Sequence, residues 1–283
     1  MREFAGRTAL VTGAAGGIGR ALALAAAARG MRVVATDIDA AALAPVVTDC
    51  LARGAASAEG LALDVRDAAA FEALAADLDA RLGGVALLFC NAGVLVPRRL
   101  WEQTAREFDW LLDINVKGVA NAVRAFLPRM IARGAPGHVV VTGSMGGFIP
   151  SPMLAAYSAS KAAVWALAET LALDLAAAKS EVKVSLLAPG AVRTRIFEAD
   201  RHRDAGADAL AGAPAAMRDA MIAGTARTGL DPEEVARVTF EAVETGRFWI
   251  FPHPQMLAAL PERTAAMVAG RDPEFDFARA FRR

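Results

Sequence analysis

The chain has 283 residues with 31 basic and 31 acidic side chains, so its formal net charge is zero, and no charge block departs from that balance. A neutral balance argues against a nucleic-acid-binding face, and 55% hydrophobic with 22% charged residues excludes a disordered chain. The longest apolar stretches, such as residues 21–28, fall far short of the roughly 20 residues that span a bilayer, and Arg20 with its neighbouring glycines spoils any secretory signal.

In chain order, short apolar runs alternate with longer helical patterns. Strands are expected at 8–12, 32–36, 60–63, 86–90, 138–142 and 182–187, and helices near 17–29, 40–53, 67–82, 104–133 and 154–179. The strands read as apolar throughout, as they do when helices cover both faces of a parallel sheet. After Pro189-Gly190 the rhythm changes: residues 193–228 carry no strand signal. Asp231-Pro232-Glu233-Glu234 then reads as an N-cap, a Pro at the first helical position and acids in the first turn. That helix is expected to end near Gly246, with a seventh strand at 247–251. The expected fold is an α/β, Rossmann-like doubly wound domain, with a seven-stranded, mostly parallel sheet flanked by helices on both faces. It is expected to be one domain over 1–283, with a substrate-loop region at about 193–228 and a C-terminal extension at about 253–283. Cys50 and Cys90 show no metal-like or redox spacing, so a cytoplasmic protein without structural disulfides is expected.

Gly13-Ala14-Ala15-Gly16-Gly17-Ile18-Gly19 stands between the first strand and its helix. Gly13 suits a tight turn, Gly17 a close approach of backbone to a pyrophosphate, and Gly19 close helix–strand packing. The helix start behind Ala15 and Ile18 offers free N–H groups and a positive dipole end to phosphates. Asp37 ends the second strand, eighteen residues beyond Gly19, where an acid accepts bonds from an adenosine ribose and repels a 2′-phosphate. NAD is therefore expected over NADP. Asp64, followed by Val65, ends the third strand, where it faces an adenine or simply caps a helix.

Tyr157 is the only tyrosine, and Lys161, one of four lysines, follows it by one helical turn. A phenol needs its pKa lowered by about three units to act as a base near neutrality, and an adjacent ammonium supplies roughly one to three. Ser144, at the end of the fifth strand, lies in the crevice where open α/β sheets bind ligands. A hydroxyl there orients a carbonyl oxygen while the phenol exchanges its proton.

This ordered set resembles the short-chain dehydrogenases/reductases, over about residues 5–250. The shared features are the glycine loop after Thr12, Asn91-Ala92-Gly93 after the fourth strand, Asn115 in a long helix, Ser144, Tyr157 with Lys161, and Pro189-Gly190 with Val192 and Thr194. The resemblance implies Tyr157 as the general acid/base and Ser144 as the substrate-orienting hydroxyl. Lys161 would bind the ribose and lower the tyrosine pKa, and Asn115 would hold a water in a proton relay. Asn91, Ala92 and Gly93 would lie along the cofactor, and the turn from Pro189 to Thr194 would approach the nicotinamide amide. The implied activity is NAD-dependent interconversion of a secondary alcohol and its ketone.

Met145, Phe148, Ile149, Met153, Leu154, Phe197, Met217 and Met221 are candidate pocket residues and suggest a hydrophobic substrate. Arg98 and Arg99 are of a type to hold a carboxylate, but two loop arginines read first as solvated. None of the three histidines forms a ligand cluster. A homo-oligomer, a tetramer before a dimer, is expected from the apolar circumference of the 154–179 helix, with Trp165, Leu167, Leu171 and Leu175. Two other readings stay open: a non-catalytic NAD-binding sensor on the same fold, and an NADP-preferring carbonyl reductase. A sugar-nucleotide epimerase is disfavoured by length and glycine spacing.

Overall fold

The structure is a computed structural model that describes residues 1–202 and 209–275. Residues 203–208 of the expected substrate loop and 276–283 of the expected extension lie outside the described residues. The elements run β1 (Thr8–Thr12), α1 (Gly17–Ala27), β2 (Arg32–Asp37), α2 (Leu43–Ala52), β3 (Ser57–Ala62), α3 (Ala68–Leu82), β4 (Val85–Cys90), α4 (Ala105–Leu112) and α5 (Gly118–Ala132). They continue with β5 (Gly137–Thr142), a single turn α6 (Met145–Phe148), α7 (Ala155–Ala177), β6 (Val182–Leu187), α8 (Gly212–Thr228), α9 (Pro232–Thr245), β7 (Trp249–Ile250) and α10 (Ala259–Val268).

The seven strands form one sheet in the order β3-β2-β1-β4-β5-β6-β7, and every neighbouring pair is parallel. Side chains alternate between two cores. Ala9, Val11, Leu87 and Phe89 face α1, α2 and α9, while Leu10, Leu88 and Val139 face α3, α5 and α7. Both faces being covered explains why the central strands read as unbroken apolar runs. β3 is the exception: as the sheet edge it is half-exposed, and it is longer than the expected 60–63. Its polar start hides the strand from an apolar-run reading. At the other edge β7 holds only Trp249 and Ile250 of the expected 247–251.

The helix expected over 104–133 is interrupted. Residues Asp113–Lys117 form a π turn between α4 and α5, with the Gly118 N–H donating to the Asp113 carbonyl. Such widened turns cluster at functional sites, and here the turn carries Asn115. The capping read at Asp231 is present: its carboxylate accepts the Glu233 N–H at 2.8 Å, and Gly246 ends α9 in the left-handed region at φ 68°. Asp67, not Asp64, caps α3, accepting the Ala70 N–H at 2.9 Å. Among the described residues no helix is long and apolar enough to cross a membrane.

Candidate active site

The order of the sheet reverses between β1 and β4, and the carboxyl ends of those two strands open a crevice, the ligand position in folds of this kind. A cleft of about 410 Å³ runs from this point across the ends of β2, β5 and β6.

One end of the cleft is built from the glycine loop and β2. Gly17 has φ 53°, and a Cβ there would stand 2.8 Å from the Thr194 methyl, so the loop and the segment after β6 close on one another. A side chain at Gly19 would collide with the Gly13 carbonyl oxygen; Gly19 itself sits behind the cleft wall, holding α1 against the turn. Asp37 accepts the Ala15 N–H at 3.0 Å through one oxygen and the Asp39 N–H at 3.0 Å through the other. The acid thus ties the glycine loop to the end of β2. Asp64 is fixed by a two-pronged bond from Arg66, which holds its carboxyl below the usual range. Ile18, Leu63 and Val65 supply apolar lining beside these carboxylates.

The middle is held by Thr12. Its hydroxyl accepts the Asn91 N–H at 2.9 Å and the Ala92 N–H at 3.1 Å, while the Asn91 side chain donates to the Thr12 carbonyl at 3.1 Å. These bonds lock the glycine turn to the loop after β4 and present Asn91, Ala92 and Gly93 along the cleft. Opposite them, Pro189, Gly190, Val192 and Thr194 form the other wall. Val192 bridges to Leu230, which anchors this wall below α9.

Ser144, Tyr157 and Lys161 meet at the far end. Ser144 caps α6 by accepting the Gly146 N–H at 3.0 Å. Tyr157 and Lys161 are both buried, 7% and 3% exposed, on the same face of α7. The Lys161 ammonium donates to the Thr142 carbonyl at 2.9 Å and stands 5.9 Å from the centre of the Tyr157 ring. Burial pushes the phenol above its ordinary pKa, and its hydrogen bond with Ser144 pulls the other way. Burial also brings the lysine down to about 8. Desolvation is therefore the larger influence on the phenol.

Asn115 is brought to this group but does not line the cleft. Its side chain pairs with Val94 as a strand would, accepting the Val94 N–H at 2.8 Å and donating to its carbonyl at 3.0 Å. The second amide hydrogen goes to the Ser160 hydroxyl at 2.9 Å, and Ser160 donates to the Tyr157 carbonyl at 2.7 Å. The amide nitrogen has no hydrogen left to donate into a relay. Ser160 escaped the sequence reading because a serine inside a helix carries no signal of its own.

The pocket beside Tyr157 is apolar, as expected, but differently built. Met145, Ile149, Leu154, Phe197 and Met221 line the cleft. Met153 and Met217 do not, and Phe148 turns away to stack on Trp165 with ring centres 4.3 Å apart. Leu95, Trp110, Ile114 and Met256 complete the wall, of which Trp110 and Ile114 were not anticipated. Arg98 is not solvated: it is ion-paired with the buried Glu107 at 3.0 Å, whereas the more exposed Arg99 pairs with Glu102. Arg201 and His202 also reach the cleft, and Arg201 lies within electrostatic range of Asp37 and Asp39. No cluster of three or more metal-type ligands occurs among the described residues.

The cleft fits a dinucleotide on its own geometry. It runs unbroken from Asp37, past a loop in which Gly13 and Gly17 leave no room for a side chain, to a buried Ser-Tyr-Lys group. Comparison with known proteins agrees with this shape. Residues 7–205 match the family described as short chain dehydrogenase. The chain is 39% identical to a short chain dehydrogenase/reductase from Burkholderia phymatum solved in complex with NAD, with a TM-score of 0.93 over 98% of this chain and 99% of that one. It is 32% identical to a C alpha-dehydrogenase of Sphingobium sp. strain SYK-6, covering 95% of this chain and 87% of the relative. A 1-deoxy-11-beta-hydroxypentalenate dehydrogenase of Streptomyces avermitilis is 36% identical over 86% of this chain and 83% of its own length.

Proposed function

The chain belongs to the short-chain dehydrogenases, oxidoreductases that use a nicotinamide cofactor, and on that footing we propose that it interconverts a hydrophobic secondary alcohol and its ketone with NAD(H). The observation that carries this reading is the buried Ser144, Tyr157 and Lys161 group facing an apolar pocket at one end of the cleft.

When bound, the nicotinamide supplies hydride acceptance and donation; the remaining chemistry belongs to this chain. In the oxidising direction the Tyr157 phenolate takes the alcohol proton. Ser144 donates to the substrate oxygen and holds it beside the phenol. Lys161, whose ammonium already points along the end of β5, holds the ribose and stabilises the phenolate. Asn115 acts behind them by fixing Val94 and, through Ser160, the first turn of α7. Leu95, Trp110, Leu154 and Phe197 exclude water and favour a substrate whose carbon framework is apolar. The hydroxypentalenate relative is named for the dehydrogenation of a hydroxylated compound, which supports an alcohol as substrate here.

The test is absorbance at 340 nm with NAD or NADP and a panel of secondary alcohols, cyclic ones included. Tyr157→Phe is expected to lower kcat by roughly 10²–10⁴-fold while NADH binding, followed by fluorescence titration, changes little. Loss of both together would contradict the role assigned to Tyr157.

Arg201 favours a second reading, in which NADP is preferred, because a cation near Asp37 offsets its repulsion of a 2′-phosphate. We favour NAD, since Asp37 itself stands at the end of β2, tied to the glycine loop through the Ala15 N–H, where a 2′-phosphate would meet it directly. Asp37→Ser is expected to raise the NADP-to-NAD ratio of kcat/KM by on the order of tenfold or more, and Arg201→Ala to lower it. A wild-type preference for NADP would reverse the cofactor assignment and leave the mechanism standing.

A further inference from the structure

We infer that the C-terminal extension supplies a positioning residue to the active site: His253 clamps the turn at 189–191 and so sets where the nicotinamide end of the cleft and Ser144 stand. The inference rests on the proposed reading that this turn faces the nicotinamide.

His253 follows β7 by three residues and is 8% exposed. Both ring nitrogens are used on consecutive residues of the turn. Nδ1 accepts the Gly190 N–H at 3.0 Å, and Nε2 lies 2.9 Å from the Ala191 carbonyl oxygen. A backbone N–H can only donate and a carbonyl can only accept, so the ring is neutral with its proton on Nε2. Burial, which lowers the pKa of this ring, favours the same form.

The turn has little means of holding itself. Pro189 has no N–H to donate, and Gly190 has no side chain and a flexible backbone. What fixes it comes from outside. The Pro189 carbonyl accepts the Met145 N–H at 2.9 Å and faces the Ser144 hydroxyl at 3.5 Å. The Ala191 carbonyl also accepts the Leu230 N–H at 2.9 Å. His253 therefore stands one residue away from the carbonyl that Ser144 touches.

Packing points the same way. A Cβ on Gly190 would stand 2.6 Å from the Met256 sulfur and 3.2 Å from the His253 ring. A side chain at this position would have to displace the Met256 thioether and crowd the His253 ring, so the extension packs directly on the turn. Met256, whose N–H donates to the His253 carbonyl at 3.0 Å, lines the cleft itself. The extension contributes a clamp and a piece of wall together.

The test compares the affinity of the full chain for NADH and for ADP-ribose, which lacks the nicotinamide, in wild type, His253→Leu and His253→Asn. Wild type is expected to bind NADH more tightly than ADP-ribose. In His253→Leu the NADH affinity should fall roughly five- to tenfold, the scale of one or two lost hydrogen bonds, with ADP-ribose affinity changed by less than about twofold. His253→Asn, which returns an acceptor to the Gly190 N–H, should recover part of the loss. Equal weakening of both ligands, no weakening of either, or failure of both variants to fold would assign His253 to general stability and overturn the inference. A wild type that does not distinguish NADH from ADP-ribose would instead overturn the reading that the nicotinamide sits at this turn, and His253 with it.

Discussion

Lys161 and Tyr157 show how one helical turn creates both the chemistry and its cost. The i,i+4 spacing puts them on one face of α7, and the fold buries that face, so the ammonium loses water and keeps the Thr142 carbonyl. Its folded pKa of about 8 lies below the ordinary lysine value. Between those two values the unfolded chain holds more of this proton than the folded one, so this group's contribution to stability rises with pH across the window. Below pH 8 the full burial cost is present, on the order of 3 kcal/mol at the roughly 1.4 kcal/mol per pKa unit. The buried Cys50 and Cys90 thiols, pushed up to about 11 and about 12, and the raised Tyr157 phenol act in the opposite sense at alkaline pH. The readout is therefore the difference between wild type and Lys161→Met in urea melts from pH 7 to 10. Wild type is expected to gain on the variant as pH rises, while the variant loses turnover at every pH. A constant difference would show that Lys161 is not desolvated as the structure has it.

The widened turn between α4 and α5 is an element whose purpose is visible only from its neighbours. By inserting a residue's worth of extra backbone it turns Asn115 inward, where the side chain replaces a strand partner for Val94 and reaches Ser160. Asn115→Ala would leave the Val94 N–H and carbonyl unpaired, each at about 1–3 kcal/mol when buried. An overall loss of about 2–4 kcal/mol in urea denaturation is expected, together with a lower kcat because the first turn of α7 loses its brace. Ser160→Ala breaks the link to Tyr157 and leaves one Asn115 amide hydrogen unpaired, and is expected to cost about 1–3 kcal/mol with a smaller fall in kcat. If Ser160→Ala left turnover unchanged, the bulge would be a support for the Val94 loop alone. α7 divides more evenly than its apolar sequence suggested. Leu175 is core and Trp165 stacks on Phe148, while Leu167 and Leu173 stand 42% and 67% exposed.

At the scale of the molecule, the sheet order and that outer face of α7 pull in different directions. The order places every strand end of the cleft on one side, and the exposed leucines leave an apolar face on α7. Sedimentation is expected to give a homotetramer, and Leu173→Glu to shift it toward smaller species without loss of the 340 nm activity per subunit beyond about twofold, since exposed substitutions rarely disturb a core. A monomeric wild type would remove the oligomer from the account. The 3₁₀ turn Ile196–His202 and α8 lie over the cleft through Phe197, Ala199 and Met221. Limited proteolysis of the 193–228 region is expected to slow when NADH and a substrate analogue are added together; unchanged cleavage would make this cover static.

The glycine loop, Asp37, the Tyr157–Lys161 spacing and the central strands were legible because local rules govern them: backbone room, i,i+4 geometry and burial on both faces of a parallel sheet. Those rules act over a few residues and leave their mark in order along the chain. β3 was misjudged in length because a sheet edge relaxes the need for apolar residues. The Phe148, Met153 and Met217 assignments failed because apolar character does not say which way a side chain turns. The Arg98–Glu107 pair, the Asn115–Ser160 brace, Arg201 near Asp37 and the His253 clamp join residues between 9 and 164 positions apart or, for His253, across 63 positions. Only folding brings such pairs together, since a hydrogen bond or ion pair depends on distance in space, and the sequence records each partner without recording that they meet.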